Sequence, residues 1–151
     1  MLKFFEYNWQ VRDEWFEWCK QVPEEELLKN RVGGLGNILH TLVHIADVEY
    51  SWLYAIEGNE PVDVDFSEYE SLDKARELSE RFRIEVRELL SKYTGEDELV
   101  TVPWNDEKYT KTEVVHHIIA HEIHHIGQLS VWAREIGLNP VSANFIGRGL
   151  H

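Results

Sequence analysis

The fold turns on TKTEVVHHIIAHEIHHIGQLSVWAREIG, Thr110 to Gly137. It opens with Thr110-Lys111-Thr112-Glu113, a capping box in which each end residue can satisfy the other's backbone N–H. Val114, Ile118, His121, His125, Leu129, Trp132 and Ile136 then recur at helical spacing, and Gly137 follows the last of them. The spacing predicts one long helix from Thr110 to Ile136 with this row facing a core. Five of the chain's eight histidines lie inside it, between His116 and His125. Two of the five, His121 and His125, stand one turn apart on the inward row. Such imidazoles point the same way, close enough to share one metal ion. Burying them without partners costs free energy, and coordinating a cation offsets that cost. His116 points outward, and His117 and His124 lie on one flank, as solvated or supporting groups.

Upstream the same period appears three more times. Phe4, Val11, Trp15 and Trp18, with Phe5 and Tyr7 alongside, predict a first helix from Leu2 to about Gln21, stopping before Pro23. A second follows the flexible Gly33-Gly34-Leu35-Gly36, with Asn37 at its start and Gly58 past its end. Its stripe is Ile38, Leu42, Ile45, Trp52 and Ile56. The acidic segment GNEPVDVDFSEYE reads as a connection. A third helix runs from near Ser71 to about Tyr93, with Leu72, Ala75, Leu78, Phe82, Val86 and Leu89 inward. VTVPWNDEKYT, Val100 to Thr110, has β-branched and aromatic residues on both sides of Asn105-Asp106 and predicts a short edge hairpin carrying Pro103. NPVSANFIGRGLH closes the chain as a loop or short turn. The expectation is an all-α fold, an antiparallel four-helix bundle with a short β-hairpin before the last long helix, forming a single domain over residues 1–151.

Composition narrows the function. The chain has 15 Lys and Arg against 28 Asp and Glu, a net charge of −13, and no basic stripe. That field repels nucleic-acid phosphates and anionic membranes, so neither is an expected partner. No apolar run approaches the ~18 residues of a membrane span. The start shows no signal-peptide pattern, and a single cysteine, Cys19, rules out an intrachain disulfide; both point to the cytoplasm. Cys19 lies among Trp15, Phe16 and Trp18 and reads as a packed thiol.

HEIHH, His121 to His125, also matches the H-E-x-x-H of zinc peptidases. The extended peptidase pattern wants Gly and His where this chain has Gln128 and Val131, and no sheet is expected to hold a peptide. A carboxylate-bridged di-iron site fails as well, because Glu113-x-x-His116 and Glu122-x-x-His125 share one helix. A third ligand for His121 and His125 has to come from another element. The second helix offers His40 and His44; His44 lies nearer its apolar stripe, but helical angle alone leaves both open.

Tyr7-Asn8-Trp9, HIADVEYSW (His44 to Trp52) and HEIHHIGQL (His121 to Leu129) together resemble the DinB-like family of four-helix-bundle proteins. That family lies in a superfamily that includes bacillithiol- and mycothiol-type transferases. The hairpin and Gly137-Leu138-Asn139-Pro140 also fit, so the resemblance spans essentially the whole chain. It implies a histidine triad, His44 with His121 and His125, around one divalent metal. Three imidazoles suit zinc, nickel, iron or copper, with zinc and nickel the first expectations. It further implies a homodimer, a small-molecule substrate and a low-molecular-weight thiol cosubstrate, with a metal-dependent thiol transferase as the leading activity. A non-catalytic metal-binding or stress-response bundle and a metal-dependent hydrolase are the alternatives. Ile126 stands where many relatives carry Arg, and Glu122, at a variable position, receives no role; nor do His117 and His124.

Overall fold

The computed structural model describes residues 2–95 and 97–151. Its α-helices and strands are α1 (Leu2–Cys19), α2 (Glu24–Leu28), α3 (Ile38–Ile56), α4 (Leu72–Ser91), β1 (Leu99–Thr101), β2 (Lys108–Thr110) and α5 (Lys111–Ile136), with one 3-10 turn, Phe66–Glu68, between α3 and α4. The four long helices form the expected bundle, and the hairpin precedes the last of them. The one-turn α2 was not legible from periodicity, since five residues cannot display a helical period. It forms where Pro23 presets the backbone, Glu24, Glu25 and Glu26 occupy the positive end of the helix, and Leu27 is buried.

The helix ends follow local chemistry. Asn37 accepts the His40 N–H at 2.6 Å and starts α3. Gly58, at φ +83°, ends it in a Schellman arrangement, with Gly58 N–H on Ala55 O and Asn59 N–H on Tyr54 O. In α5 the capping box is complete: Glu113 N–H donates to Thr110 Oγ1 at 3.0 Å, and Thr110 N–H donates to Glu113 Oε2 at 2.8 Å. α1 stops at Cys19 rather than Gln21 because Lys20, Gln21 and Val22 tighten into bonds to the third residue back. Lys92 and Tyr93 end α4 early in the same way.

Buried side chains sort into two apolar clusters that reveal the helix directions. One gathers Trp15, Trp18, Ile38, Leu42, Ala75, Leu78, Leu129 and Trp132; the other gathers Phe5, Trp9, Tyr50, Leu53, Val86, Leu89, Val114 and Ile118. α1 and α5 therefore run one way, and α3 and α4 run against them. α3 and α4 lie side by side in the same direction, so residues 57–71 must return along α3. Phe66 in that return stacks on His40, with ring centroids 4.2 Å apart and planes 6° from parallel.

One expected core residue is displaced. Phe4 is half exposed, and the neighbouring Phe5 is buried in its place. Phe4 instead meets Phe145 of the C-terminal segment, with centroids 5.3 Å apart. That segment is strapped across α1 by Tyr7, whose hydroxyl donates to Ala143 O, and by Trp18 Nε1, which donates to Asn139 O at 2.9 Å. The strands pair antiparallel with Val100 opposite Tyr109, and Pro103 falls in the turn rather than in a strand. No helix among the described residues is long and apolar enough to cross a membrane.

Candidate metal centre

α5 is buried along two rows rather than one. Val114, Ile118, His125, Leu129 and Trp132 form the anticipated row. Val115, Ile119, Glu122, Ile126 and Ala133 form a second. A helix packed on two sides carries two kinds of site, and here both are polar at mid-height.

On the first row α3 and α5 bring His44, His121 and His125 together. His44 Nε2 lies 3.0 Å from His121 Nε2, which lies 3.2 Å from His125 Nε2. Nitrogens bound ~2.0–2.1 Å from a tetrahedral zinc lie roughly 3.3 Å from one another, so the spacing fits three ligands of one ion. Among the described residues, this is the group of three side chains able to hold a metal. Burial, reinforced by neighbouring imidazoles, pushes the His44 pKa down to about 4 and the His121 pKa down to about 3. Both rings are thus neutral at physiological pH, the form that donates a lone pair.

The tautomer of His125 is set from behind. Its Nδ1 lies 2.8 Å from Gln128 Oε1, an acceptor, so the proton resides on Nδ1 and the Nε2 lone pair faces the cluster. Gln128 is in turn covered by the loop before α3: a Cβ on Gly34 would sit 2.2 Å from Gln128 Oε1. The reading that left His40 and His44 open is resolved by position, since His40 is stacked on Phe66, away from the cluster. His116, His117 and His124 are exposed. His117 stands 6.1 Å from His121 between ring centroids, and His124 stands 5.2 Å from His125.

The second row holds what sequence reasoning left without a role. Glu122 is fully buried and paired with Arg12 of α1, whose Nε donates to Glu122 Oε2 at 2.9 Å. Arg12 Nη2 donates to Glu49 Oε2 of α3 at 3.0 Å, and Nη1 donates to Ser79 Oγ of α4 at 3.3 Å. Trp9 Nε1 adds a bond to Glu49. Burial pushes the Glu122 carboxyl up, and the charge and hydrogen bonds of Arg12 pull it back toward the ionised form. One guanidinium thus ties all four long helices between the two apolar clusters. The available signal was an arginine inside an aromatic helix face and a glutamate flanked at three and four residues by Ile119 and Ile126.

With this geometry in view, comparison with known proteins places the chain. A sequence model of the DinB family matches residues 1–148. The uncharacterized protein YizA of Bacillus subtilis (strain 168) is 61% identical, over 99% of this chain and 96% of its own length. The chain belongs to the DinB family.

Proposed function

We propose that this DinB-family protein binds one divalent transition-metal ion through His44, His121 and His125 and acts as a transferase using a low-molecular-weight thiol. The observation that carries the proposal is the convergence of three Nε2 atoms at 3.0 and 3.2 Å. Hydrogen bonding alone does not account for it, because His121 Nε2 has one in-plane position and faces two other ring nitrogens. A divalent ion held by these residues would lower the pKa of a thiol brought to it and so supply thiolate at neutral pH.

The chain's own residues serve that chemistry in separable ways. Burial keeps His44 and His121 unprotonated, and Gln128 holds the proton on His125 Nδ1. The nucleophilic sulfur comes from outside the chain. Cys19, its single cysteine, is buried in the first apolar cluster with its thiol pushed up by burial to about 12. Zinc and nickel remain the favoured ions, and a homodimer belongs to the same proposal, tested by the mass of the protein in solution.

Metal analysis of protein purified without added metal is expected to find about one divalent ion per chain. His121→Ala and His125→Ala are each expected to lose it; full stoichiometry in both variants would refute the site. A panel of electrophiles offered with and without low-molecular-weight thiols then tests the reaction. Turnover independent of thiol would point to hydrolysis instead.

A further inference from the structure

A second feature lies beside the histidine cluster. Trp52 of α3, Tyr109 of β2, and Glu113, Val114 and His117 of α5 line a cavity of about 270 Å³. The hairpin builds it by bringing aromatic rings against α3. Trp104 meets Trp52 at 4.7 Å and 85°, and Tyr109 meets it at 5.8 Å and 77°. From the other side His117 stands 5.2 Å from Trp52, one helical turn before His121. The volume is just below the ~300–1,000 Å³ of sites for drug-sized ligands, so the cavity suits a small molecule or one end of a larger one.

Its chemistry has a sign. Among the described residues, no Lys or Arg lines the cavity. The nearby Lys111 is held by Glu98 at 3.2 Å and Glu57 at 3.4 Å. Glu113 contributes a carboxylate kept below its ordinary range by hydrogen bonds from Thr110, first from the backbone and then from the side chain. Those bonds use Oε2, and Oε1 makes none among the described residues. The positive end of α5 would favour an anion, but the Glu113 N–H is taken by Thr110 Oγ1, the Lys111 N–H by Glu98 O, and the Glu113 carboxylate already stands there. The Tyr109 hydroxyl is engaged within the turn, donating to Glu107 Oε2 at 3.1 Å and accepting from Asn105 Nδ2 at 2.9 Å. What the cavity offers is aromatic surface and one negative charge, the combination that attracts organic cations.

We propose that this cavity binds a small organic cation, an amine or quaternary ammonium with an apolar body. That the bound molecule is the group acted on at His44, His121 and His125 rests on the function proposed above. The cavity's preference for a cation does not.

The test uses choline and its uncharged isostere 3,3-dimethylbutan-1-ol, titrated against the full-length protein. Binding is followed by the Trp52 indole N–H resonance, assigned with Trp52→Phe. Choline is expected to bind ~10-fold more tightly than the neutral isostere. Glu113→Gln preserves the capping box, which accepts Gln at that position, and is expected to remove most of that preference. Trp52→Ala, read instead by the indole N–H resonance of the adjoining Trp104, is expected to weaken choline ~10-fold or more. His121→Ala, which disables the proposed metal site, is expected to leave choline binding within about twofold; the two proposals therefore fail separately. Equal binding of the two probes, saturation by neither, or a preference that survives Glu113→Gln overturns the assignment.

Discussion

Arg12 shows how much one side chain decides. Its guanidinium is the counter-charge for two buried carboxylates, and its three nitrogens reach α3, α4 and α5. Arg12→Met keeps most of the volume but leaves Glu49 and Glu122 facing each other without a cation. It is expected to lower unfolding free energy by about 3–5 kcal/mol in urea denaturation. Changing Glu49 and Glu122 to Leu together with Arg12→Met is expected to recover most of that loss, because an apolar layer of similar volume can replace a buried ionic one. No recovery would mean that the network does more than satisfy itself. Gln128 works at the same scale by fixing one proton. Gln128→Leu is expected to weaken metal binding ~10–100-fold with little change in fold, read by competition with a chromophoric chelator.

At the scale of elements, the loop between α2 and α3 acts on α5. Gly34 has φ +49°, and its missing Cβ leaves room for Gln128 Oε1. Gly34→Ala meets only the flexible end of a side chain, so the stability loss is expected to be ~1–2 kcal/mol, mainly from the left-handed backbone. The displaced amide releases His125, so metal affinity is expected to fall as it does in Gln128→Leu. Unchanged affinity would show that the loop does not hold Gln128 in place. The start of α5 is more local: Thr110→Ala removes the N-cap and is expected to cost ~1 kcal/mol by thermal or urea unfolding.

For the whole molecule, Cys19 reports on global opening. It is buried in the first apolar cluster, and its thiol titrates near 12 rather than the unperturbed 9.0. A thiol reagent at neutral pH is expected to leave it unlabelled in the folded protein and to label it once guanidinium unfolds the chain. The raised pKa also sets a direction. Below about pH 9 the thiol is neutral in both states and costs nothing. Between 9.0 and about 12 the unfolded chain ionises first, so this group's contribution to stability is lost as pH rises. Urea midpoints over that range in Cys19→Ala, compared with the unsubstituted chain, isolate its share; equal slopes would show that the thiol is not shielded.

The amino-acid order alone carried the four long helices, the hairpin, the caps at Asn37 and Thr110, and the inward pair His121 and His125. Each is a local pattern, written within a few turns of chain. Family resemblance added His44, a choice that helical angle could not make. The tertiary structure decided the rest: that α3 and α4 run the same way, that Phe5 rather than Phe4 is buried, and that Glu122 lies opposite Arg12. Those outcomes depend on which helix faces which. A side chain's partner across the bundle leaves no periodic signal on its own helix, so a glutamate beside a histidine has no assignable role until a guanidinium from α1 is seen against it.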